Sequence, residues 1–432
     1  MEVAVVGGGW AGLSCAIKAT QLGHHVTLFE ASRHMGGRAR AVPGVGADNL
    51  ALTLDNGQHI LIGAYIETLA ILQTVGLKES DVLRRTPLNL KFPDQTGLQF
   101  GSWPSPFDAV AGILTATGWT WQDKFSLLRV TLGWQMSGFT CAASTTVAQL
   151  CIGMSRRIIN DMIAPLCVSA LNTPADRASG QVFLRVMKDA LFGGHGSSNL
   201  LLPLTDLSSL FPDAAVQWLR QQGADIQLGH RVRELAASVE SKTWRVDGTS
   251  FQAVVIAIDS TNAATLVKSI AATPAGERLE TQSWFERANA IQYEAIATVY
   301  AQAHQKSLAQ PMMALKSDAA VNPAQFVFDR GQLGGPSGLL AFVVSASALD
   351  RVLCQALVVK QAQRQLGLDI EPLQTIVEKR ATFACTPHLV RPPMNIAPKL
   401  LACGDYIEGP YPATLEGAVR SGLNAARALS AA

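Results

Sequence analysis

The chain has no Cys-x-x-Cys pair; its seven cysteines, at positions 15, 141, 151, 167, 354, 385 and 403, lie scattered. That excludes thioredoxin-like and zinc-ribbon centres and offers no disulfide framework, so most of the thiols read as small buried apolar groups. The eight histidines show neither HxxxH nor HxxEH spacing, which leaves a metal site without support. Charge is also scarce on balance: 35 basic against 33 acidic residues give a net +2, and basic runs are short, Arg84-Arg85 and Arg156-Arg157 among them. No field of one sign recruits nucleic acid or an acidic partner. No uninterrupted run of about 18 apolar residues occurs, so no membrane-spanning helix is predicted. A first strand beginning at residue 3 leaves no room for a signal peptide, and the expectation is a cytosolic protein. There is no internal repeat and no low-complexity tract.

What the chain does have is apolar mass. Hydrophobic residues make up 48% of its 432 positions and mean hydropathy is +0.19, which predicts a large core or an apolar ligand tunnel. The segment 2–6 (EVAVV) reads as a buried parallel strand, 11–22 as a helix and 25–30 (HVTLFE) as a second strand, together one β-α-β unit. A helix is predicted over 64–76, then an irregular or β region rich in Pro and Gly over 78–106. Helical periodicity dominates from 107 to 200. The stretch "AAVQWLRQQGADIQLGHRVREL" predicts helix, Gly turn, strand and a further strand near Val232, and "FQAVVIAID" a buried parallel strand over 251–259. Residues 266–390 mix helix and strand, and "KLLACGDYIEGPYPATLEGAVRSGLNAARAL" closes the chain as strand, loop and long helix.

Three bare segments carry the chemistry. Gly7-x-Gly9-x-x-Gly12 follows the first strand and opens the first helix: Gly7 for the tight turn, Gly9 for close approach of a pyrophosphate, Gly12 for helix–strand packing. Free amides at the helix start hold phosphates. Glu30 ends the second strand where a carboxylate accepts from a ribose 2′-hydroxyl, which points to an adenosine without a 2′-phosphate. Gly36-Gly37-Arg38 adds a second bare turn and a cation, lengthening the site toward FAD. At the other end, Gly404-Asp405 after a strand suits a ribityl hydroxyl. The helix predicted from about Thr414 would aim its positive end at a flavin ring.

These segments together resemble the flavin-containing amine oxidase and phytoene desaturase superfamily over nearly the whole chain. Within it, "LDNGQHILIGAY" (54–65), "APLCVSALNTPADRAS" (164–179), "LLLPLTDLSSLFP" (200–212) and "GDYIEGPYPATLEGAVRSG" (404–422) are similar to the squalene-associated FAD-dependent desaturases, the hydroxysqualene dehydroxylases. Cys403, where Ala is commoner, and Tyr406, where Trp is common, depart from that pattern. The resemblance implies an α/β, amine oxidase-like fold. Its Rossmann-like FAD-binding domain is built from 1–80, 200–265 and 390–432, with an inserted mixed-sheet and helical substrate domain over 81–199 and 266–389, helical at 107–199. It implies noncovalent FAD, held by Gly7, Gly9, Trp10, Ala11 and Gly12; by Glu30, Ala31, Gly36, Gly37 and Arg38; by Asn56, Gly57, Gln58 and His59; and by Val232, Gly404, Asp405, Pro412, Ala413 and Thr414.

Enzymes of that kind reduce the allylic alcohol hydroxysqualene to squalene on the way to hopanoids. The resemblance therefore implies a long isoprenoid substrate and an electron donor that the sequence does not identify. His59, in a polar cluster with Asp55, Asn56 and Gln58, is the candidate acid for the leaving hydroxyl; the alternative is that it only orders the loop. Asp405 and Glu416 are poorer candidates. Phe107, Trp119, Trp121 and Phe125 form either a membrane-contacting mouth, placing the protein peripherally on the inner face of the cytoplasmic membrane, or an ordinary core helix. Three rivals stay open: a carotenoid or phytoene desaturase; an amine oxidase, for which Tyr406 and Tyr411 offer an aromatic cage; and a dinucleotide-binding protein without turnover.

Overall fold

Strand β1 (Glu2–Val6) carries Val3, Ala4 and Val5, none of which has exposed surface. A strand buried on both faces belongs inside a parallel sheet. In the computed structural model β1 lies between β2 (His25–Glu30) and Ala253–Ile256, with Val5 opposite both Leu28 and Val255. The full order is Asp225–Leu228, β2, β1, Ala253–Ile256, Leu400–Ala402 and Asn395–Ala397. The first five run parallel and the last edge strand is antiparallel. Three distant stretches of chain thus build one sheet, and its carboxyl ends deliver Gly7, Glu30, Ala257 and Gly404 to one rim, where ligands bind in open α/β sheets.

Helix α1 (Trp10–Gln21) crosses the sheet and packs against the terminal helix Leu415–Ser430. Gly422 makes that close approach possible, since a Cβ there would stand 2.1 Å from the Ala11 carbonyl oxygen. The terminal helix also holds its neighbour: Glu416, fully buried, accepts from the Glu67 and Thr68 amides and the Thr68 hydroxyl at the start of helix Ile66–Thr74, and is paired with Arg420 at 2.6 Å. Glu416 is therefore fully engaged as a capping group between helices.

A second, antiparallel sheet orders Met312–Ala314, Phe326–Asp329, Leu339–Ser345, Tyr293–Ala303 and Ile370–Phe383. Alternation along Tyr293–Ala303 sorts the two faces. Ala297, Val299 and Ala301 share a core with Cys354, Val358 and Ala362 of helix Arg351–Leu366, while Ile296 and Tyr300 face the main core. The block expected to be helical supplies Phe107–Thr115, Trp121–Met136, Val147–Leu150, Arg156–Ile158, Ala164–Leu171 and Gly180–Phe192. Reciprocal capping boxes start two of these, Thr120 with Asp123 and Thr146 with Gln149.

The structure describes residues 1–430 apart from 102, 104–106, 239–242, 272–277 and 304–306. Two prolines of the 78–106 reading, Pro104 and Pro106, fall outside them. The rest of that region contains the short helix Glu79–Val82 and strands Leu83–Thr86, Asn89–Lys91 and Gly97–Gln99. One expectation is corrected: no strand runs through Val232. Residues 230–234 are loop, and the next strand, Leu235–Ser238, starts later. Asp247 fixes this loop by accepting from the Arg233 and Glu234 amides, which withdraws those donors from any strand ladder.

Candidate functional site

A cavity of about 860 Å³ opens along the carboxyl rim of the parallel sheet and ends against the antiparallel one. That size suits a large organic ligand. Among the residues singled out from sequence, Gly7, Gly9, Trp10, Ala11, Glu30, Ala31, Gly36, Gly37 and Arg38 line it, as do Asn56, Gly57, Gln58, His59, Val232, Gly404, Asp405, Ala413 and Thr414. Gly12 and Pro412 do not. Gly12 packs instead against the preceding turn, where a Cβ would lie 1.9 Å from the Gly7 oxygen. Pro412 is buried behind the loop it stiffens.

The glycine turn is braced from two sides. Gly7 adopts φ +117°, a conformation that side chains disfavour. One oxygen of Glu30 accepts from the Gly8 amide at 2.7 Å and the other from the Ser32 amide at 2.7 Å, so the acidic residue shapes the loop, and each oxygen keeps a further lone pair. Gly36, at φ +102°, donates to the Gly8 carbonyl, and Gly37, at φ +61°, faces Gly9. A Cβ on Gly9 would meet nothing of the protein nearer than the Gly37 Cα at 4.0 Å. Two bare turns therefore flank the amino end of α1, and the space beside Gly9 belongs to the cavity. Trp10, whose indole donates to the Ala39 carbonyl and packs on Phe211, locks that arrangement.

The two ends of the chain meet through Arg38. Its guanidinium lies 2.5 Å from an Asp405 oxygen and donates to the Ala381 carbonyl at 2.8 Å. Asp405, expected at a ribityl hydroxyl, is thus also the partner of the Gly-Gly-Arg cation. Asn56 donates to the Arg38 carbonyl and to Glu378. The His59 ring places Nδ1 2.9 Å from the Gly57 carbonyl, which only accepts, so Nδ1 holds the proton and Nε2 is an acceptor. Burial, with Arg38 nearby, lowers the His59 pKa below its ordinary value, and the ring is neutral at pH 7.

The terminal loop is strained in a way the sequence did not announce. Tyr411 and Ala413 both take left-handed backbone, φ +57° and +59°, on either side of Pro412. Thr414 holds this turn by donating to the Tyr411 carbonyl and accepting from the Gly417 amide. The cage read from Tyr406 and Tyr411 takes another form: Tyr406 is buried beneath Gly404, and the ring that meets Tyr411, at 6.0 Å and 79°, is Tyr65. Arg420 and Arg185 stand over Tyr411 at 5.1 and 5.8 Å. Sequence reasoning also missed Ile296, Phe326, Phe328 and Val343, which wall the far end of the cavity from the antiparallel sheet. Only a register carries that information, because each is an ordinary strand residue.

The residues present fit a dinucleotide of the length of FAD. Both amide atoms of Gln58 and the Tyr406 hydroxyl are buried in the cavity wall with no hydrogen-bond partner among the described residues. Orphaned polar atoms of that kind call for a polar ligand. No group of three or more His, Cys, Asp or Glu side chains suited to a metal occurs among the described residues.

Comparison with known proteins agrees with this geometry. The family model described as flavin containing amine oxidoreductase matches residues 10–430. Hydroxysqualene dehydroxylase of Sinorhizobium fredii is 25% identical over 440 residues, covering 98% of this chain and 97% of the relative. That of Rhodopseudomonas palustris is 26% identical over 454 residues, covering 100% and 98%. An oxidoreductase from Methanosarcina mazei superposes with a TM-score of 0.73 at 16% identity, over 98% of this chain and 99% of the other, and supports the fold alone.

Proposed function

The chain belongs to the flavin containing amine oxidoreductases, and we propose that within this family it reductively removes the hydroxyl group of hydroxysqualene to give squalene, with FAD as its cofactor, for hopanoid synthesis. End-to-end similarity to hydroxysqualene dehydroxylases carries the reading. In the balanced reaction the C–O bond breaks and the oxygen leaves as water after taking a proton, while a C–H bond forms with hydride. Reduced FAD, when bound, supplies the two electrons as that hydride.

The protein's own part is to hold, orient and dry the site. The amides at the start of α1 and the paired glycine turns hold the phosphates, with Glu30 at the ribose and the Arg38–Asp405 pair at the ribityl end. The hydrocarbon wall of Ile296, Phe326, Phe328 and Val343 keeps water from a reacting allylic carbon. His59, neutral with its proton directed at Gly57, orders the 56–59 loop in this scheme rather than protonating the substrate. The test is anaerobic incubation of the photoreduced protein with hydroxysqualene. One squalene per flavin reoxidised is expected; reduced flavin that persists without squalene refutes the reading.

A water-insoluble substrate favours entry from a lipid surface. Of the four aromatics read as a rim, Trp119 is buried while Phe107, Trp121 and Phe125 are 66%, 73% and 69% exposed. Lys124 lies under the Trp121 ring at 5.1 Å, buried and donating to the Leu114 carbonyl, and so props the exposed indole from within. No helix among the described residues is long and apolar enough to cross a membrane. Replacing Phe107, Trp121 and Phe125 together by serine is expected to lower partition onto phospholipid vesicles roughly tenfold with FAD content unchanged; unchanged partition removes this face from the scheme.

A further inference from the structure

A narrow arm of about 130 Å³ runs from the cofactor cavity into the helical block. Ile60, Tyr65, Ser169, Ala170, Phe326 and Thr414 line both spaces and so form the neck between them. Beyond the neck the lining is hydrocarbon and thioether: Leu88, Leu90, Met162, Met187, Leu200 and Met312. Of the hydroxyls there, that of Ser198 is engaged with Asp108 at 3.2 Å and that of Tyr411 with Asp189. An apolar cavity of this size stays dry and takes up hydrocarbon.

Two helices turn a continuous face to the arm. Met162, Leu166, Ser169 and Ala170 stand at i, i+4, i+7 and i+8, and Val186, Met187, Ala190 and Leu191 stand at i, i+1, i+4 and i+5 on helix Gly180–Phe192. Met162 lies in a π-helical turn, Ile159–Ile163, directly before helix Ala164–Leu171. The extra residue of such a turn re-aims the side chains that follow, and such turns recur at functional sites. Methionines at three positions give walls that adapt to a flexible chain.

Resting on the isoprenoid reading above, we infer that this arm binds one end of the substrate chain and that Ala170, at its neck, sets the length of isoprenoid the site accepts. A methyl side chain leaves the neck open; a larger one narrows it.

The experiment follows binding rather than turnover. FAD-loaded protein is titrated with squalene and with farnesol, reading the perturbation of the flavin absorption spectrum. In Ala170→Phe the dissociation constant for squalene is expected to rise roughly tenfold, with that for farnesol and the FAD content unchanged. Ala170→Leu should fall between, and carries the same comparison if the phenylalanine variant does not fold. Variants that bind squalene as tightly as a wild type that does bind it overturn the arm alone. A wild-type protein blind to both chains overturns the substrate class and the arm with it. Failure to convert hydroxysqualene, with chain-length selectivity intact and responsive to Ala170, overturns the proposed reaction and leaves the arm standing.

Discussion

Gly9→Val should give a protein that folds as the wild type does and purifies without flavin. The backbone at Gly9 has φ −75°, which any residue adopts, and nothing of the protein stands within 4 Å of a Cβ there except the Gly37 Cα at that limit. A branched side chain at this position fills the space between the two glycine turns, where the pyrophosphate must come within hydrogen-bond reach of the α1 amides. FAD affinity should fall by about 100-fold or more, the loss of two or three phosphate hydrogen bonds, while the melting temperature of the FAD-free protein stays where it is. Gly12→Val is the control: its Cβ would lie 1.9 Å from the Gly7 oxygen and 3.1 Å from the Ala257 Cβ, so it should unfold the protein whether or not FAD is present. Thermal denaturation of the apoproteins with FAD titration separates the two. A Gly9→Val protein that retains FAD at wild-type affinity would remove the cofactor from this turn.

The contrast between these glycines explains what was legible in the sequence. The strand, turn and helix around Gly7, Gly9 and Gly12 were legible because a β-α-β turn is local: all three lie within twenty residues, and hydrophobic periodicity sets their order. Glu30 and Gly36-Gly37 were legible for the same reason. The Arg38–Asp405 ion pair joins residues 367 positions apart, and only the common superfamily pattern suggested that the chain ends meet. The strand misread near Val232 reflects an interaction local spacing does not reveal, the Asp247 carboxylate capturing two amides of that loop. Tyr65 had no signal of its own. It becomes the ring partner of Tyr411 only because Glu416 holds the start of helix Ile66–Thr74 against the terminal helix. The hydrocarbon wall was likewise invisible: Phe326 and Val343 are opposite each other in antiparallel register, and a one-residue slip would send both away from the cavity.

Asp55→Ala should cost about 3 kcal/mol of stability near pH 4, by stranding the buried Leu207 amide and removing the acceptor beside the buried Arg330 guanidinium, and less at neutral pH. Asp55 is 2% exposed and ends the strand that leads into the 56–59 loop. Its Oδ1 accepts from the Leu207 amide at 2.7 Å, and its Oδ2 stands 3.8 Å from Arg330, itself buried. Its backbone carbonyl accepts from the Tyr300 hydroxyl at 2.9 Å. Three separate stretches of chain therefore converge on this residue, one position before the cavity. Burial pushes its pKa up to about 6, with Arg330 and the Leu207 amide opposing. A carboxyl whose folded pKa exceeds the unfolded value binds more protons in the folded state. Its stabilising contribution is thus complete below about pH 4 and is lost as pH rises through about 6. Asp55→Asn keeps the oxygen that faces Leu207 and cannot ionise, so it should lack that dependence. Relative to Asp55→Asn, the wild type should lose up to about 3 kcal/mol of unfolding free energy between about pH 4 and pH 8. Urea denaturation of the two proteins at several pH values measures the difference directly. Parallel curves would mean that Asp55 ionises as freely in the fold as in water, and that Arg330, rather than burial, governs the carboxylate beneath the cofactor loop.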